Sequence, residues 1–364
     1  MKKKICWITP DCYLDTDIYI VPLLAKEFNI EWYIYYTSAG TLSYKDSLDK
    51  IRDIKIHIVC IDGRFRSVNA LKVFFELVKN VRKSKPDLVY TGISGAPYFL
   101  PLLKIIVGSK NVVIAAHNVV TPKGAISYNI AKRYTFFALN MFDNFHTFSE
   151  SQYKVLLNKY PNKNVLVAPF ILKDYGLPST KPNDVITFLS FGFIRDYKRI
   201  DVLINAVQNA YEKTRIKCKV IIAGSCDDWS KYDAIIKYPE LFDLRIRRVE
   251  NDEVADLFGL CHYFVAPYQD IAQSGSVVVA LNYSKPIIAS DLEAFREFIK
   301  DKQTGYLMKP ASVEDLTSII IGILKNHTSV YQTMCNNIEE FKRTNYSESS
   351  IVNKYSSFFN DLIG

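Results

Sequence analysis

A serine-glycine-serine turn is the first stretch whose residue types could do chemistry. Ser274, Gly275 and Ser276 follow an apolar run at 263–266 and precede a mostly apolar segment. This pattern predicts a strand, a loop and a helix, with a second strand at 287–289. At the carboxyl edge of a parallel sheet, the unpaired N–H groups of such a turn suit an anion, so one interpretation is a phosphate site. The other is that the serines only cap a core helix.

A basic turn is the second candidate anion site. Gly192 is followed by Arg195, Lys198 and Arg199, and these cations stand just before or at the start of a predicted helix. Positive charge is unfavourable there, because the N-terminal end of the helix dipole is itself positive. A diphosphate bound between Arg195, Lys198 and the turn at 274–276 would compensate for it. The alternative interpretation is a solvated cluster of charges.

Three further candidates come at the ends of predicted strands. They are Gly224, Glu250 and His117. Ligands of parallel α/β sheets collect at the carboxyl ends of the strands, so all three suit a binding site. Glu250 could contact the base or ribose of a nucleotide, although a helix cap formed by Asn251 explains this pair of residues more simply. His117 could contact a substrate, or merely hydrogen-bond within its loop.

The elements that hold these residues alternate between strands and helices in both halves of the chain. Such alternation predicts an α/β protein whose parallel sheets are covered by helices. The segment 174–184 is rich in Gly, Pro and polar residues and predicts a linker between domains 1–173 and 185–345. The amphipathic segment 346–364 is expected to cross back onto the first domain. The pattern also predicts a strand near 244–249 and a helix over 313–325.

Composition argues against several classes of protein. With 364 residues, the chain suits two domains of ordinary size. No run approaches the ~20 apolar residues that span a bilayer, and the N-terminus lacks a signal-peptide cleavage pattern, so we expect a cytoplasmic protein. The seven cysteines lack the spacing of a zinc site and predict reduced thiols. The G-x-G-x-x-G fingerprint is absent, which disfavours a tightly bound dinucleotide.

The basic charge is concentrated in the first half of the chain. Residues 1–180 hold 24 Lys and Arg against 14 Asp and Glu, whereas residues 181–364 hold 22 against 24. Aromatic residues interleaved with these cations, including Phe136 and Phe137, suit an anionic membrane surface. No recognition motif favours nucleic acid. The alternative interpretation is a basic face that is simply solvated.

Several segments, taken together, resemble family 4 glycosyltransferases of GT-B fold. Over about 185–310 they are FGFIRDYKRIDVLINA, KVIIAGS, LFGLCHYFVAPYQD, QSG, KPIIASD and the turn at 305–306. Weaker signals in the first half are KPDLVYTG, the His-Asn pair at 117–118 and VLVAPF. The resemblance implies two Rossmann-like domains facing across a cleft. It also implies retaining, generally metal-independent transfer of a sugar from a nucleotide donor to an acceptor.

The resemblance further implies roles for the candidate residues. Lys198, assisted by Arg195, would bind the diphosphate of a donor that is most simply a UDP- or GDP-sugar. Ser274 and Gly275 would provide backbone donors to the phosphates, and His117 would lie near the transferred sugar or the acceptor. We expect a lipid-linked or oligosaccharide acceptor in surface polysaccharide synthesis, with the enzyme peripheral on the inner face of the cell membrane.

Two departures from the family pattern concern the donor site. The paired glutamates of the E-x7-E motif would fall at Ile271 and Val279, and both positions are apolar. Gln273, in a Q-S-G form of the turn, is a candidate hydrogen-bonding substitute. Phe193 stands where many members have arginine, so Arg195 would have to replace it. The missing glutamates leave two alternatives open, a non-catalytic partner protein and a nucleotide-sugar epimerase of the same fold.

The stretch Asp15-Thr16-Asp17 is similar to the D-x-D metal motif of another glycosyltransferase fold. It lies at the wrong place for that motif, near the start of a predicted helix, where capping carboxylates explain it more simply. We therefore predict no metal site.

Overall fold

Two compact units make up the chain. The computed structural model describes residues 2–42, 44–121, 128–172, 175–271 and 274–364. The first unit comprises Met1–Ile171 with Tyr346–Gly364, and the second comprises Leu172–Asn345. Each unit contains one parallel sheet with helices packed against it, which confirms the predicted α/β fold.

The first unit is built on a seven-stranded sheet. Its strands are β1 (Lys4–Pro10), β2 (Asn29–Thr37), β3 (Lys55–Ile61), β4 (Leu88–Gly92), β5 (Val112–Ala115), β6 (Asn144–Thr147) and β7 (Asn164–Val167). They are ordered β3-β2-β1-β4-β5-β6-β7 and all pair in parallel. Its helices in this segment are α1 (Leu14–Leu24), α2 (Lys45–Leu48), α3 (Val68–Lys83), α4 (Phe99–Ile106), α5 (Tyr128–Met141) and α6 (Glu150–Lys159).

Both faces of this first sheet are buried. Alternate residues of β1 enter different cores: Ile5 and Trp7 pack in one that includes residues of α1, whereas Cys6 and Ile8 pack in another with residues of α3 and α4. Successive side chains of a strand point to opposite faces, so a sheet covered on both sides needs apolar residues at every position. This requirement explains why β1 is a continuous apolar run.

The second unit is built on a six-stranded parallel sheet. Its strands are β8 (Thr187–Phe191), β9 (Lys219–Ala223), β10 (Phe242–Arg245), β11 (Tyr263–Ala266), β12 (Ile287–Ser290) and β13 (Gly305–Met308). They are ordered β10-β9-β8-β11-β12-β13. Its helices are α7 (Ile200–Thr214), α8 (Ser230–Asp233), α9 (Asn251–Leu260), α10 (Gly275–Asn282), α11 (Glu293–Arg296) and α12 (Val313–Asn345). This order places β11, which precedes α10, directly beside β8.

The last helix, α13 (Glu348–Ile363), belongs to the first unit. Its Tyr355 and Phe359 pack against Trp7, with ring centres 6.1 and 6.4 Å from that of the indole. The C-terminal helix therefore completes the core on the α1 side of the first sheet.

Two predicted elements have different bounds in the structure. The strand predicted near 244–249 is β10, which spans Phe242–Arg245. It begins directly after a short helical turn at Pro239–Leu241, so it lies earlier in the chain than predicted. The helix predicted to end near 325 continues to Asn345 as α12. Only Met334 and Ile338 are buried in this extension, so its sequence lacks the dense apolar periodicity of the first turns.

The capping explanation is wrong for Asp17. Its carboxylate is buried and accepts hydrogen bonds from Nε1 of Trp7 at 2.9 Å and from Oγ1 of Thr9 at 2.6 Å. Burial raises the pKa of Asp17 to about 7. Asp17 is therefore a core hydrogen-bond acceptor. Within the described ranges, no three His, Cys, Asp or Glu side chains cluster as a metal site, and no helix is long and apolar enough to cross a bilayer.

Candidate functional site

Two glycines allow the carboxyl ends of β8 and β9 to approach each other. Gly192 has φ of +97° and Gly224 has φ of +152°, values that side-chain-bearing residues rarely adopt. A Cβ on Gly224 would lie 2.3 Å from the carbonyl oxygen of Gly192. A Cβ on Gly192 would lie 3.1 Å from Nζ of Lys198. Both glycines are therefore explained by local geometry, and Gly192 leaves room for the lysine.

Lys198 is a buried cation at this strand end. Its side chain is 6 % exposed, and Nζ donates a hydrogen bond to the carbonyl oxygen of Phe191 at 3.2 Å. No carboxylate of the described residues forms an ion pair with it. Burial lowers the pKa of Lys198 to about 8. A buried charge without a counter-ion destabilises a protein, and a bound phosphate would provide the missing negative charge.

The other two cations of the basic turn differ from Lys198. Arg199 forms an ion pair with Asp201 at 2.8 Å, so its charge near the start of α7 is already compensated within the protein. Arg195 is exposed, and its guanidinium lies 4.6 Å from the ring centre of Phe193. The turn therefore provides two cations for a ligand, not three.

Tyr268 connects Lys198 to the Ser-Gly-Ser turn. Its ring is fully buried, with the ring centre 5.5 Å from Nζ of Lys198. Its hydroxyl lies 3.0 Å from Oγ of Ser276, which in turn lies 3.0 Å from Oγ of Ser274. The structure thus brings together the two turns proposed as anion sites. Tyr268 was missed in the sequence, where the available signal was its position two residues after a predicted strand.

The N-terminus of α10 lacks a side-chain cap from its own first residues. The helix begins at Gly275, and the side chain of Ser274 makes no capping hydrogen bond, so the interpretation that this serine only caps the helix is wrong. The N–H groups of a first helical turn have no intrahelical acceptors. A Cβ built on Gly275 meets no atom of the described residues within 4 Å, so the packing of those residues does not require glycine there. These features suit the close approach of an anion.

Glu250 has a structural partner in the second unit. It caps α9, and its N–H donates to Oε2 of Glu253 at 3.0 Å in a capping box. The expected cap at Asn251 is therefore displaced by one residue, and β10 ends well before Glu250. A contact between Glu250 and the donor stays a prediction. Gln273 lies outside the described residues.

His117 lies in the first unit, just after β5. Its ring is stacked between those of Tyr13 and Phe148, with ring centres 3.8 and 4.3 Å away. Neither ring nitrogen hydrogen-bonds to any residue in the described part of the chain. Burial, together with neighbouring His146, lowers the pKa of His117 to about 3, so the imidazole is neutral at pH 7. A neutral, fixed imidazole can hydrogen-bond to a sugar hydroxyl but cannot act as a general acid.

Comparison with known proteins assigns the class of this chain. The family model for glycosyl transferases group 1 matches residues 178–344. An uncharacterized glycosyltransferase of Methanocaldococcus jannaschii is 22 % identical over 337 residues, which cover 85 % of this chain and 92 % of that protein. The protein is a glycosyltransferase. Its donor is a nucleotide sugar.

Two further similarities concern the fold and a shorter segment of this glycosyltransferase. The crystal structure of Anabaena HepE in complex with UDP and glucose has a TM-score of 0.73 at 13 % identity, covers 99 % of this chain and 100 % of its own, and shows the GT-B fold. The GDP-mannose:glycolipid 4-beta-D-mannosyltransferase of Xanthomonas campestris is 22 % identical over 129 residues. Those residues cover 33 % of this chain and 34 % of that enzyme.

Proposed function

We propose that this glycosyltransferase transfers a sugar, with retention of configuration, from a UDP- or GDP-sugar to a lipid-linked glycan during surface polysaccharide synthesis. The observation that carries the proposal is the position of Lys198, a buried ammonium without a carboxylate partner among the described residues, beside the N-terminus of α10. Two sources of positive potential at one edge of a sheet suit a diphosphate.

The charge distribution suggests how the leaving group is stabilised. When the bond between the anomeric carbon and the β-phosphate oxygen breaks, its electron pair stays on the nucleoside diphosphate. Lys198, Arg195 and the first-turn N–H groups of α10 would stabilise that charge without having to rearrange. The oxygen of the acceptor hydroxyl would bond to the anomeric carbon, and its proton would pass to the departing diphosphate, which has kept the electron pair of the broken bond. In the first unit, neutral His117 would orient a sugar hydroxyl.

The similar proteins support particular substrates. UDP is bound in the HepE structure, and the Xanthomonas enzyme is named for GDP-mannose and a glycolipid acceptor. Both nucleotides therefore remain candidates for the donor, and a glycolipid is the candidate acceptor.

One surface of the first unit suits an anionic membrane. On α5, Phe136 and Phe137 are 49 % and 58 % exposed, with Lys132 and Arg133 on the same helix. Lys159 lies 5.4 Å from the ring centre of Phe136. We call these five residues the α5 surface. Aromatic rings enter the lipid interface while cations attract anionic headgroups, so we propose a cytoplasmic enzyme held peripherally at the membrane.

The donor site can be tested by thermal stabilisation with a panel of UDP-, GDP-, ADP- and CMP-sugars. A ligand that binds the folded state raises Tm, and at a fixed ligand concentration the rise is larger for a tighter ligand. We expect a selective rise with one nucleotide that is lost in Lys198→Ala and kept in Lys213→Ala, a matched change at an exposed lysine on α7. An equal rise in Lys198→Ala, or no rise with any donor, would refute the donor site proposed here.

A further inference from the structure

A cavity of about 420 Å³ lies within the first unit, beside His117. It is lined by residues that follow the carboxyl ends of β1, β4 and β5, including Tyr13, Ser94 and Asn118, and by residues of α5 such as Tyr134. This volume is in the range of small-molecule binding sites. The described residues that line it all belong to the first unit.

The aromatic walls of this cavity are held by the fold. The hydroxyl of Tyr13 donates to the carbonyl oxygen of Ile93 at 2.8 Å, and that of Tyr134 donates to the carbonyl oxygen of Ala96 at 2.6 Å. A Cβ on Gly92 would lie 2.9 Å from the ring of Tyr13, so this glycine admits the ring. Because both hydroxyls form hydrogen bonds within the protein, these two walls are held in place before a ligand binds.

Arg66 is the charged side chain among the described residues that line the cavity. It is exposed, and its guanidinium forms no ion pair or hydrogen bond with any residue that the structure describes. No carboxylate is among the described lining residues, and His117 is neutral, so the charge that these residues contribute to the cavity is the positive charge of Arg66. Arginine binds carboxylates and phosphates through paired hydrogen bonds, which makes an anion its natural partner here.

We propose that the acceptor sugar bound in this cavity carries an anionic group, a carboxylate or a phosphate, and that Arg66 binds this group. The proposal rests on the proposed function, because it names the class of acceptor for the same reaction. In this arrangement Arg66 selects the anion while His117 contacts a hydroxyl of the ring. Arg66 is therefore a specificity-determining residue.

The test compares glucuronate, glucose 6-phosphate and neutral glucose as ligands of the full chain by isothermal titration calorimetry. We expect at least one of the two anionic sugars to bind about tenfold more tightly than glucose, the size expected for a charge-assisted hydrogen-bonded pair. The preference should disappear in Arg66→Gln. It should persist in Arg64→Gln, a matched exposed arginine of the same loop that does not line the cavity.

The outcomes separate the possible explanations. A preference for glucuronate alone identifies a carboxylate, and a preference for glucose 6-phosphate alone identifies a phosphate. Equal affinity for all three sugars, no binding of either anionic sugar, or equal loss in Arg64→Gln overturns the proposal. Donor-induced stabilisation of the Arg66→Gln protein tests the proposed function separately, since it depends on the second unit.

Discussion

At the scale of single residues, the protonation of Lys198 should control donor affinity. Burial lowers its pKa to about 8 from an ordinary value of 10.5, so the free protein loses this cation as pH rises through 8. We expect donor affinity to fall above pH 8, by up to about tenfold per pH unit. Lys198→Arg should remove this dependence, because a guanidinium stays charged. The measurement is the Kd of the nucleoside diphosphate from about pH 7 to about pH 10.

The contribution of Lys198 to stability should rise with pH over the range in which donor affinity falls, and this difference provides the control. Between about 8 and 10.5 the unfolded chain keeps a proton on Lys198 that the folded chain has lost. The contribution of Lys198 to the free energy of unfolding should therefore increase over this range. Donor affinity that is flat across pH 8 in the wild type would contradict the assigned role of Lys198.

At the scale of elements, a methyl group added at the N-terminus of α10 should leave the fold intact but weaken donor binding. A Cβ on Gly275 meets no atom of the described residues within 4 Å, so Gly275→Ala should leave the free energy of unfolding unchanged or raise it by up to about 1 kcal/mol. Donor affinity should fall, because the methyl group occupies space that the phosphate approaches. Thermal unfolding and donor Kd, measured together, check both expectations.

A second glycine provides the matched control for this helix. Gly322 lies inside α12, and a Cβ built there also meets nothing within 4 Å. Gly322→Ala should stabilise the chain without changing donor affinity. If Gly275→Ala likewise leaves donor affinity unchanged, the phosphate does not approach this helix end.

At the scale of the whole molecule, the α5 surface should decide whether the enzyme associates with membranes. Changing both Phe136 and Phe137 to serine should abolish flotation with vesicles rich in phosphatidylglycerol, because these exposed rings supply the apolar contact. Binding by the wild type should also weaken with salt, which screens the cations from the headgroups.

The control is Phe75→Ser, since this phenylalanine of α3 is 45 % exposed and lies outside the α5 surface. It should float as the wild type does. Wild-type protein that fails to float with anionic vesicles would exclude the proposed membrane surface.

Most of the fold could be predicted from the sequence, because parallel sheets covered on both faces impose a local requirement. Strands such as β1, β9 and β11 are short runs that are apolar at nearly every position, and turn residues bound them. The exceptions have a physical reason. The extension of α12 is helical although few of its residues are buried, and the start of β10 is set by the turn at Pro239–Leu241.

Local residue patterns were enough to place Gly192, Gly224 and His117 just after strand ends, where ligands bind, because a strand and its end are properties of neighbouring residues. They misplaced Glu250, because β10 ends at Arg245. Their chemistry depends on the tertiary structure. It buries Lys198 but leaves Arg195 of the same turn exposed. It also placed Tyr268 between the two turns. The burial of Lys198 and its contact with the ring of Tyr268 depend on atoms brought from distant parts of the chain, and local sequence does not encode them.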